Sequence, residues 1–354
     1  MQDYDRKYRR LVEKLGEVPQ ASLGLFPTPL QPMNNYGRLV GHDELFIKRD
    51  DLTGLGLGGN KTRSLRFLLG EARQRGADVV IVAGALQSNL CTQAAAAASR
   101  LGMECLIVHN DDRPGLFEGN MLLNAMLGAE QRFVGPVGED ERSALAEEFA
   151  VQLRETGKRV YMIANSSSTP RGSLGYVSAA AELFRQCSET GIRMEHVAIP
   201  GAMAGTASGL VAGAALLGGP FRVHVINVEY PGDTLKHLID GYTAGIFDIL
   251  DCHPDVDIEE TMTIHHHALG GGYGQSTADS MRALYDLART EGIFTEIVYT
   301  SKTLAGLAEL IRDGTVPSDE PACFWHTGGT GALFAQGEEI LGGGDGQPAD
   351  SGEG

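Results

Sequence analysis

The chain has few basic residues and few cysteines, and both shortages restrict what it can bind. Its 354 residues carry 29 lysines and arginines against 46 aspartates and glutamates, a formal net charge of −17. A surface this acidic repels phosphate backbones, and no basic stripe offsets it, so no nucleic-acid partner is expected. The five cysteines are scattered and form no C-x-x-C pair, which favours a reducing compartment over a zinc ribbon or a disulfide framework.

Long apolar runs are also missing from the sequence. No segment offers the roughly 18 uninterrupted apolar residues of a membrane span. The segment 1–17 is too charged for a signal peptide and predicts a surface helix. We therefore expect a cytoplasmic protein without a membrane partner. Residues 342–354 are rich in glycine and have almost nothing to bury, which predicts a disordered tail.

From Leu45 onward, short apolar runs alternate with helix-like segments, and this order is typical of parallel sheets with crossover helices. Such an α/β fold needs many tight strand-to-helix turns, which the 47 glycines can supply. The predicted strands are 78–84, 104–109, 159–163, 196–200, 221–227 and 322–326, and the predicted helices are 88–101, 119–127 and one that starts at Ser208.

The segment 48–64 contains the most functional signals, although two familiar motifs fail there. A Walker A loop needs Gly-Lys-Ser/Thr in succession, and Asn60 separates Gly59 from Lys61. Gly54, Gly56 and Gly59 match G-x-G-x-x-G, but charged residues rather than a buried strand precede them. The hypothesis that the chain is a nicotinamide dehydrogenase therefore rests on that match alone.

What remains is a lysine at a predicted helix start. Asn60 is a suitable N-cap for a helix that begins at Lys61, and its apolar face is Leu65, Leu68, Leu69 and Ala72. The helix dipole disfavours a cation in the first turn and lowers its pKa, and a neutral amine is what Schiff-base chemistry requires. Taken alone, such a lysine is usually just exposed and solvated.

Two further segments predict anion sites at helix starts. The run from Gly201 to Thr206 predicts a glycine turn between a strand and a helix. Such a turn either binds a phosphate group at the helix start or only connects the two elements. Ser88 opens the next predicted helix. Its hydroxyl either caps that helix, the commonest use, or moves a proton beside a substrate carboxylate.

Seven short motifs occur in an order that resembles the family of D-cysteine desulfhydrase and 1-aminocyclopropane-1-carboxylate (ACC) deaminase. The similarity covers about Phe26 to Leu341. The motifs are Gly58-Gly-Asn-Lys-Thr-Arg63, Gln87-Ser-Asn89, Gly119-Asn-Met-Leu-Leu-Asn124, Ser173-Leu-Gly-Tyr176, Gly271-Gly-Tyr-Gly274, Val298-Tyr-Thr300 and His326-Thr-Gly-Gly329.

The resemblance implies a fold-type-II enzyme that depends on pyridoxal 5'-phosphate, with two α/β domains and the cofactor in the cleft between them. Residues 1–61 and 172–341 form the large domain, and residues 62–171 form the small one. The partners that it implies are a small amino-acid substrate and a second copy of the chain in a homodimer.

The resemblance also assigns roles to residues of this chain. Lys61 carries the cofactor as a Schiff base, Asn89 lies beside the ring hydroxyl, and Ser88 moves a proton or attacks a cyclopropane substrate. Tyr299 and Tyr273 line the substrate side. A Tyr299 phenol held near the β-carbon would stabilise or protonate the departing group. The phosphate is bound by the loop Gly201, Ala202, Met203, Ala204, Gly205 and Thr206.

Thr300 and Thr327 resemble the hydroxyl pair of desulfhydrases, whereas ACC deaminases carry Glu and Leu there. A hydroxyl serves a neutral pyridine nitrogen, which suffices for the α,β-elimination of a good leaving group. Desulfhydrase-like elimination to a 2-oxo acid and ammonia is therefore predicted. The alternatives are an ACC deaminase, a β-replacement enzyme and a non-catalytic sensor.

Some residues depart from the family or invite other roles. Leu90 stands where relatives carry histidine, and the segment 166–171 differs as well, so the substrate need not be D-cysteine. Arg171 either binds an acidic side chain or forms a surface ion pair. No metal is predicted, because the run 265–267 of three histidines has no further ligand at suitable spacing.

Structural roles are the default for three other residues. Cys91 is expected to be a buried thiol and Trp325 a core residue. Asp50 and its neighbour Asp51 are expected to support the loop before Lys61 rather than to act as a catalytic pair.

Overall fold

The computed structural model describes residues 2–163 and 166–342, and alternation of strands and helices dominates both parts. The strands there are β1 (Leu30–Pro32), β2 (Leu45–Arg49), β3 (Val79–Ala83), β4 (Glu104–His109), β5 (Glu130–Phe133), β6 (Val160–Ile163), β7 (His196–Gly201), β8 (Arg222–Asn227), β9 (Met262–His265) and β10 (Ala322–His326). All six strand predictions are confirmed to within a residue or so at each end.

The helices follow the strands along the chain. They are α1 (Gln2–Glu17), α2 (Asn34–Val40), α3 (Lys61–Gln74), α4 (Asn89–Leu101), α5 (Gly119–Met126), α6 (Glu139–Glu155), α7 (Pro170–Thr190), α8 (Gly205–Leu216), α9 (Thr234–Leu250), α10 (Ile258–Thr261), α11 (Ala278–Glu291), α12 (Thr300–Arg312), α13 (Thr330–Leu333) and α14 (Gly337–Gly342). Short 3₁₀ helices span Asp50–Leu52 and His267–Leu269.

The larger sheet has the strand order β1-β2-β10-β7-β8-β9 and is built from both ends of the chain. Its pairs are parallel except for β1 with β2. Because parallel strands end at the same edge, the loops after β7, β8 and β10 open on one side of the sheet. That edge is where Gly201, Asn227 and His326 end their strands.

The smaller sheet, β5-β4-β3-β6, is parallel throughout and lies within the segment 62–171. Every residue of β3 is buried, since α3 and α4 cover one face of the sheet and α6 covers the other. Such continuous apolar strands are typical of sheets that have helices on both faces. The two sheets confirm the predicted α/β fold, while the domain boundaries at residues 61 and 171 stay a prediction.

Two helix predictions need correction or detail. α8 begins at Gly205, one turn before the predicted start at Ser208, because Ala204 takes a left-handed conformation (φ 61°) and turns the chain directly into the helix. The predicted surface helix is α1, but one face of it is buried through Leu11 and Leu15. Apart from Gly342, which ends α14, the predicted tail lies outside the described residues.

Among the helices that the model describes, none has the length and apolar character needed to cross a membrane.

Candidate active site

Lys61 is the first residue of α3 and is half-buried. Burial lowers the pKa of its amine to about 8, and the carboxylate of Glu229 acts in the opposite direction. The predicted downward direction is confirmed, although burial rather than the helix dipole is its main cause. About a tenth of a lysine with this pKa is neutral at pH 7, far more than for an ordinary lysine, and attack on a carbonyl carbon requires the neutral amine.

The loop before Lys61 is held by bonds to two other predicted segments. The Asn60 N–H donates to the Thr327 carbonyl at 2.9 Å, and the Asn60 side-chain amide donates to Thr206 Oγ1 at 2.9 Å. Asn60 occupies the N-cap position, but its side chain caps no N–H of α3, so that expectation was wrong. The amide instead joins the lysine loop to the start of α8.

Beneath Lys61, α3 is anchored by a buried cluster of four charges. The Arg63 guanidinium donates two bonds of 2.7 Å to Asp50 and further bonds of 3.0 and 2.9 Å to Glu182. Lys48 completes the cluster by an ion pair with Glu182. Two positive and two negative side chains balance, as buried charges must.

Asp50 also accepts hydrogen bonds from Tyr176 at 2.6 Å and from Trp325 Nε1 at 2.9 Å. The supporting role expected for Asp50 is confirmed, but through side chains rather than the backbone. Asp51 forms an ion pair with Arg49 at 2.7 Å. Trp325 is a core residue as expected.

The loop from Gly201 to Thr206 has the shape of a phosphate cradle. Gly201 ends β7, and the first turn of α8 presents N–H groups that have no partner within the helix. A Cβ on Gly205 would lie 2.6 Å from Ser168 Oγ, so only glycine allows the backbone this close an approach. A helix N-terminus lined by small residues suits a phosphate group. The loop therefore fits the phosphate of the predicted cofactor.

Ser88 and Asn89 lie at the start of α4. Ser88 Oγ accepts the N–H of Cys91 at 3.3 Å, so the serine caps the helix. Asn120 donates its amide to Asn89 Oδ1 at 2.9 Å. That bond fixes the Asn89 side chain, and the Asn89 amide nitrogen, which has no partner within residues 2–163 and 166–342, can donate to a ring oxygen.

Tyr273 and Tyr299 contact each other. Their hydroxyl groups are hydrogen-bonded, and their rings meet edge to face at 5.7 Å between centroids. Burial, followed by the charge of Tyr273, raises the pKa of Tyr299 well above the ordinary tyrosine value. The Tyr299 phenol therefore stays protonated and can donate.

The two threonines differ in what their hydroxyl groups contact. Thr300 Oγ1 accepts the N–H of Glu296 at 2.9 Å and donates to its carboxylate at 3.0 Å. Thr327 is 6% exposed and makes no side-chain hydrogen bond within the described residues. Thr327 is therefore the threonine whose hydroxyl is available to a ring nitrogen, and Thr300 contacts such a nitrogen only if its hydroxyl leaves Glu296.

Sequence reasoning missed two carboxylates at this site. Glu296 is buried, and its carboxylate accepts the N–H groups of Val298, Tyr299 and Thr300 at 2.7–2.9 Å. It shapes the turn that presents Tyr299, and its position just before the first turn of α12 was the available signal. Glu229 follows β8 and belongs to no motif in the sequence.

The remaining predictions concern residues that were not expected to bind the cofactor. Arg171 forms an ion pair with Glu71 at 3.4 Å, but the pair is half-buried rather than at the surface, and the buried Nη1 of Arg171 has no partner within the described residues. Cys91 is fully buried, as expected, and burial raises the pKa of its thiol to about 11. His265 is hydrogen-bonded to His224 at 3.0 Å. Residues 2–163 and 166–342 contain no group of three or more metal-ligating side chains placed to hold an ion.

Comparison with known proteins agrees with this geometry. Residues 21–328 match the family model described as "Pyridoxal-phosphate dependent enzyme". D-cysteine desulfhydrase from Klebsiella pneumoniae is 33% identical over 92% of this chain and 98% of its own length. A protein from Pyrococcus abyssi, provisionally named a 1-aminocyclopropane-1-carboxylate deaminase, is 33% identical over 92% of this chain and 96% of its own.

A solved structure of a similar protein has the same fold. The crystal structure of an ACC deaminase homologue superimposes with a TM-score of 0.85 at 32% identity, covering 94% of this chain and 98% of that one. The matching fold, the half-buried lysine at the start of α3 and the phosphate cradle are consistent with one another. The chain belongs to the family of pyridoxal-phosphate-dependent enzymes of fold type II, and its cofactor is pyridoxal 5'-phosphate.

Proposed function

We propose that the protein is a deaminating lyase that catalyses α,β-elimination on a small amino acid, in the manner of D-cysteine desulfhydrase. Its products are a 2-oxo acid, ammonia and the β-substituent. The observation that carries the proposal is that the loop before Lys61 and the turn that presents Tyr299 meet at the segment after β10. The Asn60 N–H donates to the Thr327 carbonyl at 2.9 Å, and a Cβ on Gly329 would lie 2.3 Å from Glu296, whose carboxylate accepts the Tyr299 N–H at 2.9 Å.

The cofactor would be held by Lys61, Asn89, Thr327 and the loop from Gly201 to Thr206. Bound pyridoxal phosphate supplies an electron sink for the pair that remains when the substrate Cα loses its proton. Lys61 is the base that takes this proton, because its burial leaves the free amine neutral enough to accept it.

Tyr299 supplies a proton to the departing β-substituent. Its raised pKa keeps the phenol protonated, and its hydrogen bond to Tyr273 orients the hydroxyl. Thiol and hydroxyl leaving groups depart more easily when protonated, so the phenol contributes most for those substrates. Ser88, at the start of α4, binds the substrate carboxylate together with the adjacent N–H groups.

The second candidate within the family is ACC deaminase. Thr327 favours elimination over the cyclopropane ring opening of ACC deaminase, because a neutral hydroxyl facing the ring nitrogen leaves a weaker electron sink than a carboxylate does. A product assay decides between them. Elimination predicts sulfide and pyruvate from D-cysteine, whereas deaminase activity predicts 2-oxobutyrate from the cyclopropane. Release of 2-oxobutyrate without pyruvate would overturn the proposal.

We also propose that the protein is a cytoplasmic homodimer in which residues 62–171 form the small domain. Leu122 and Met126 support the dimer, since both belong to α5 and remain 47% and 75% exposed in the single chain. Sedimentation at twice the chain mass of 37.7 kDa is the expected result. A monomer at micromolar concentration would contradict it.

A further inference from the structure

Lys302 is a buried cation that the proposed reaction does not use. It belongs to the first turn of α12, three residues after Tyr299, and is 0% exposed. Lys48, which is buried to the same extent, pairs with Glu182, whereas Lys302 forms no ion pair with a carboxylate of residues 2–163 or 166–342. Burying a charge is costly unless other groups compensate for the lost water, so an apolar side chain would suit a position that only fills space. The lysine is therefore expected to have a specific task.

The partners of Lys302 are two backbone carbonyls in the segment that follows β9. Its ammonium group donates to the Leu269 carbonyl at 2.9 Å and to the Gly272 carbonyl at 2.8 Å. The second of these carbonyls belongs to the residue directly before Tyr273. Hydrogen bonds from a charged donor are stronger than those from a neutral one. Lys302 therefore holds the backbone just before Tyr273 by two strong hydrogen bonds.

The loop 270–274 has few restraints of its own. Its residues other than Tyr273 are glycines, and Gly272 and Gly274 take positive φ angles of 130° and 73° in open space, where a Cβ would meet no atom within 4 Å. The turn bonds from the Gly272 N–H to the Leu269 carbonyl and from the Gln275 N–H to the Gly272 carbonyl are long, 3.3 and 3.4 Å. A glycine backbone has the largest conformational freedom of any residue, so the position of this loop depends on the bonds from Lys302.

The start of α12 contacts the same loop at a second point. Tyr299 occupies the N-cap position of α12, and its hydroxyl is hydrogen-bonded to that of Tyr273. Thr303 fixes the backbone of Tyr299, since its Oγ1 donates to the Tyr299 carbonyl at 2.7 Å. One rigid helical turn thus contacts the loop backbone through Lys302 and the Tyr273 side chain through Tyr299. If the loop moves, the Tyr273 hydroxyl moves away from the Tyr299 hydroxyl.

We propose that Lys302 is a positioning residue for the elimination, and that it fixes Tyr273 where its hydroxyl donates to Tyr299 Oη. The inference rests on the proposed function, in which Tyr299 gives a proton to the departing β-substituent. A Tyr273 hydroxyl that already points at the Tyr299 oxygen stabilises the negative charge that this transfer leaves there. Lys302 acts only through the loop and contacts neither the substrate nor the transferred proton.

The proton transfer that Lys302 supports is balanced within the protein. The O–H bond of Tyr299 breaks, its proton goes to the β-substituent, and the oxygen keeps the electron pair as a phenolate. Lys61 gains the Cα proton in the same turnover, so the number of protons on the protein does not change. Lys302 keeps its own proton throughout, because its ammonium group has to donate to both carbonyls of the loop.

The first test measures the loop without a reaction, by hydrogen exchange and mass spectrometry of the holoenzyme. Lys302→Met keeps the length of the side chain but removes its donors, so amides of the peptide 266–275 should exchange about tenfold faster, while peptides of α3 stay unchanged. Lys302→Gln keeps a neutral donor and should show a smaller change, which also covers the case that the methionine variant does not fold. The control Lys236→Met removes an ion pair with Asp240 on α9 and should leave the peptide 266–275 as in the wild type.

The second test measures kcat on D-cysteine and on β-chloroalanine, whose chloride leaves without a proton. Lys302→Met should lower kcat about tenfold on D-cysteine and less than about threefold on β-chloroalanine. In the Tyr299→Phe background the same substitution should cause no further loss on D-cysteine, because Lys302 acts through that phenol.

Two results would overturn the role of Lys302. One is an unchanged exchange rate of the peptide 266–275 in Lys302→Met, or a rise in exchange that extends to α3. The other is an equal loss of kcat on the two substrates, which indicates a general structural defect. If the wild type forms no 2-oxo acid from either amino acid, then the proposed function is wrong, and faster exchange confined to the peptide 266–275 would still support the anchoring of the loop by Lys302.

Discussion

Replacement of Asp50 by asparagine tests whether the buried charge cluster holds the lysine loop in place. The two oxygens of Asp50 accept hydrogen bonds from Thr28, Arg63, Tyr176 and Trp325. An asparagine has one acceptor oxygen, and Arg63 donates to both carboxylate oxygens. Either orientation of the amide therefore sets an N–H group against a nitrogen of Arg63.

The expected loss is large because the site is completely buried. Asp50 and Arg63 are each 0% exposed. Breaking one member of a buried ion pair costs about 3–5 kcal/mol, and buried donors without acceptors cost about 1–3 kcal/mol each. We expect Asp50→Asn to lower the free energy of unfolding by about 3–5 kcal/mol at pH 7.

Urea unfolding followed by tryptophan fluorescence measures this loss, since Trp325 is the single tryptophan and contacts Asp50. The Arg63 guanidinium and its hydrogen bonds hold the pKa of Asp50 below the ordinary value of 3.8 despite its burial. The stabilisation that the Asp50 carboxylate contributes to the folded state is therefore complete above pH 3.8, the ordinary pKa. It disappears as the pH falls through the lower pKa that Asp50 has in the folded protein. The difference between wild type and variant should shrink in that acid range.

Asp279→Asn provides the matched control. Asp279 also pairs with an arginine, Arg282 at 2.9 Å, but its side chain is 60% exposed. Exposed pairs contribute about 0–1 kcal/mol, so the control should unfold almost as the wild type does. A loss below about 1 kcal/mol for Asp50→Asn would refute the account of the cluster.

Three further predictions concern the cofactor cleft. The rate at which pyridoxal phosphate attaches to the apoprotein, followed by absorbance, should rise with pH and have its midpoint near pH 8, the pKa of Lys61. A midpoint near 10.5 would contradict the effect of burial. Gly205→Ala should weaken cofactor binding at least tenfold in equilibrium dialysis, because a Cβ there would lie 2.6 Å from Ser168 Oγ. The control Gly241→Ala should bind the cofactor as the wild type does, because a Cβ at that position meets no atom within 4 Å. Equal affinities of the two variants for the cofactor would argue against the cradle. In steady-state kinetics, Tyr299→Phe should lower kcat on D-cysteine about 100-fold but change kcat on β-chloroalanine little, because that leaving group needs no proton. Equal losses of kcat on the two substrates would show that the phenol takes no part in the reaction.

Local sequence patterns were sufficient to predict the helices and strands and the site residues that belong to motifs. The buried run from Val79 to Ala83 could only be a covered strand, and the spacing of Leu65, Leu68 and Leu69 predicted the face of α3. Lys61 was predictable because a glycine turn, a helix start and a cradle downstream occur together.

Contacts between distant parts of the chain were not predictable in this way. Arg63 meets Glu182 across 119 positions, and nothing local marks either residue as buried. Thr300 was predicted to face the ring, but its hydroxyl bonds to Glu296, which no motif singled out. Glu229 became visible only when the fold brought the end of β8 to the phosphate loop.

The central claim is that Lys61 binds the cofactor covalently. Borohydride reduction of the holoenzyme, followed by proteolysis and peptide mass measurement, tests it directly. The account predicts one modified peptide that carries the reduced pyridoxal phosphate on Lys61, and no modification of the Lys61→Ala variant under the same conditions. Cofactor found on another lysine, or an unmodified wild-type chain that still consumes amino acids, would contradict the claim.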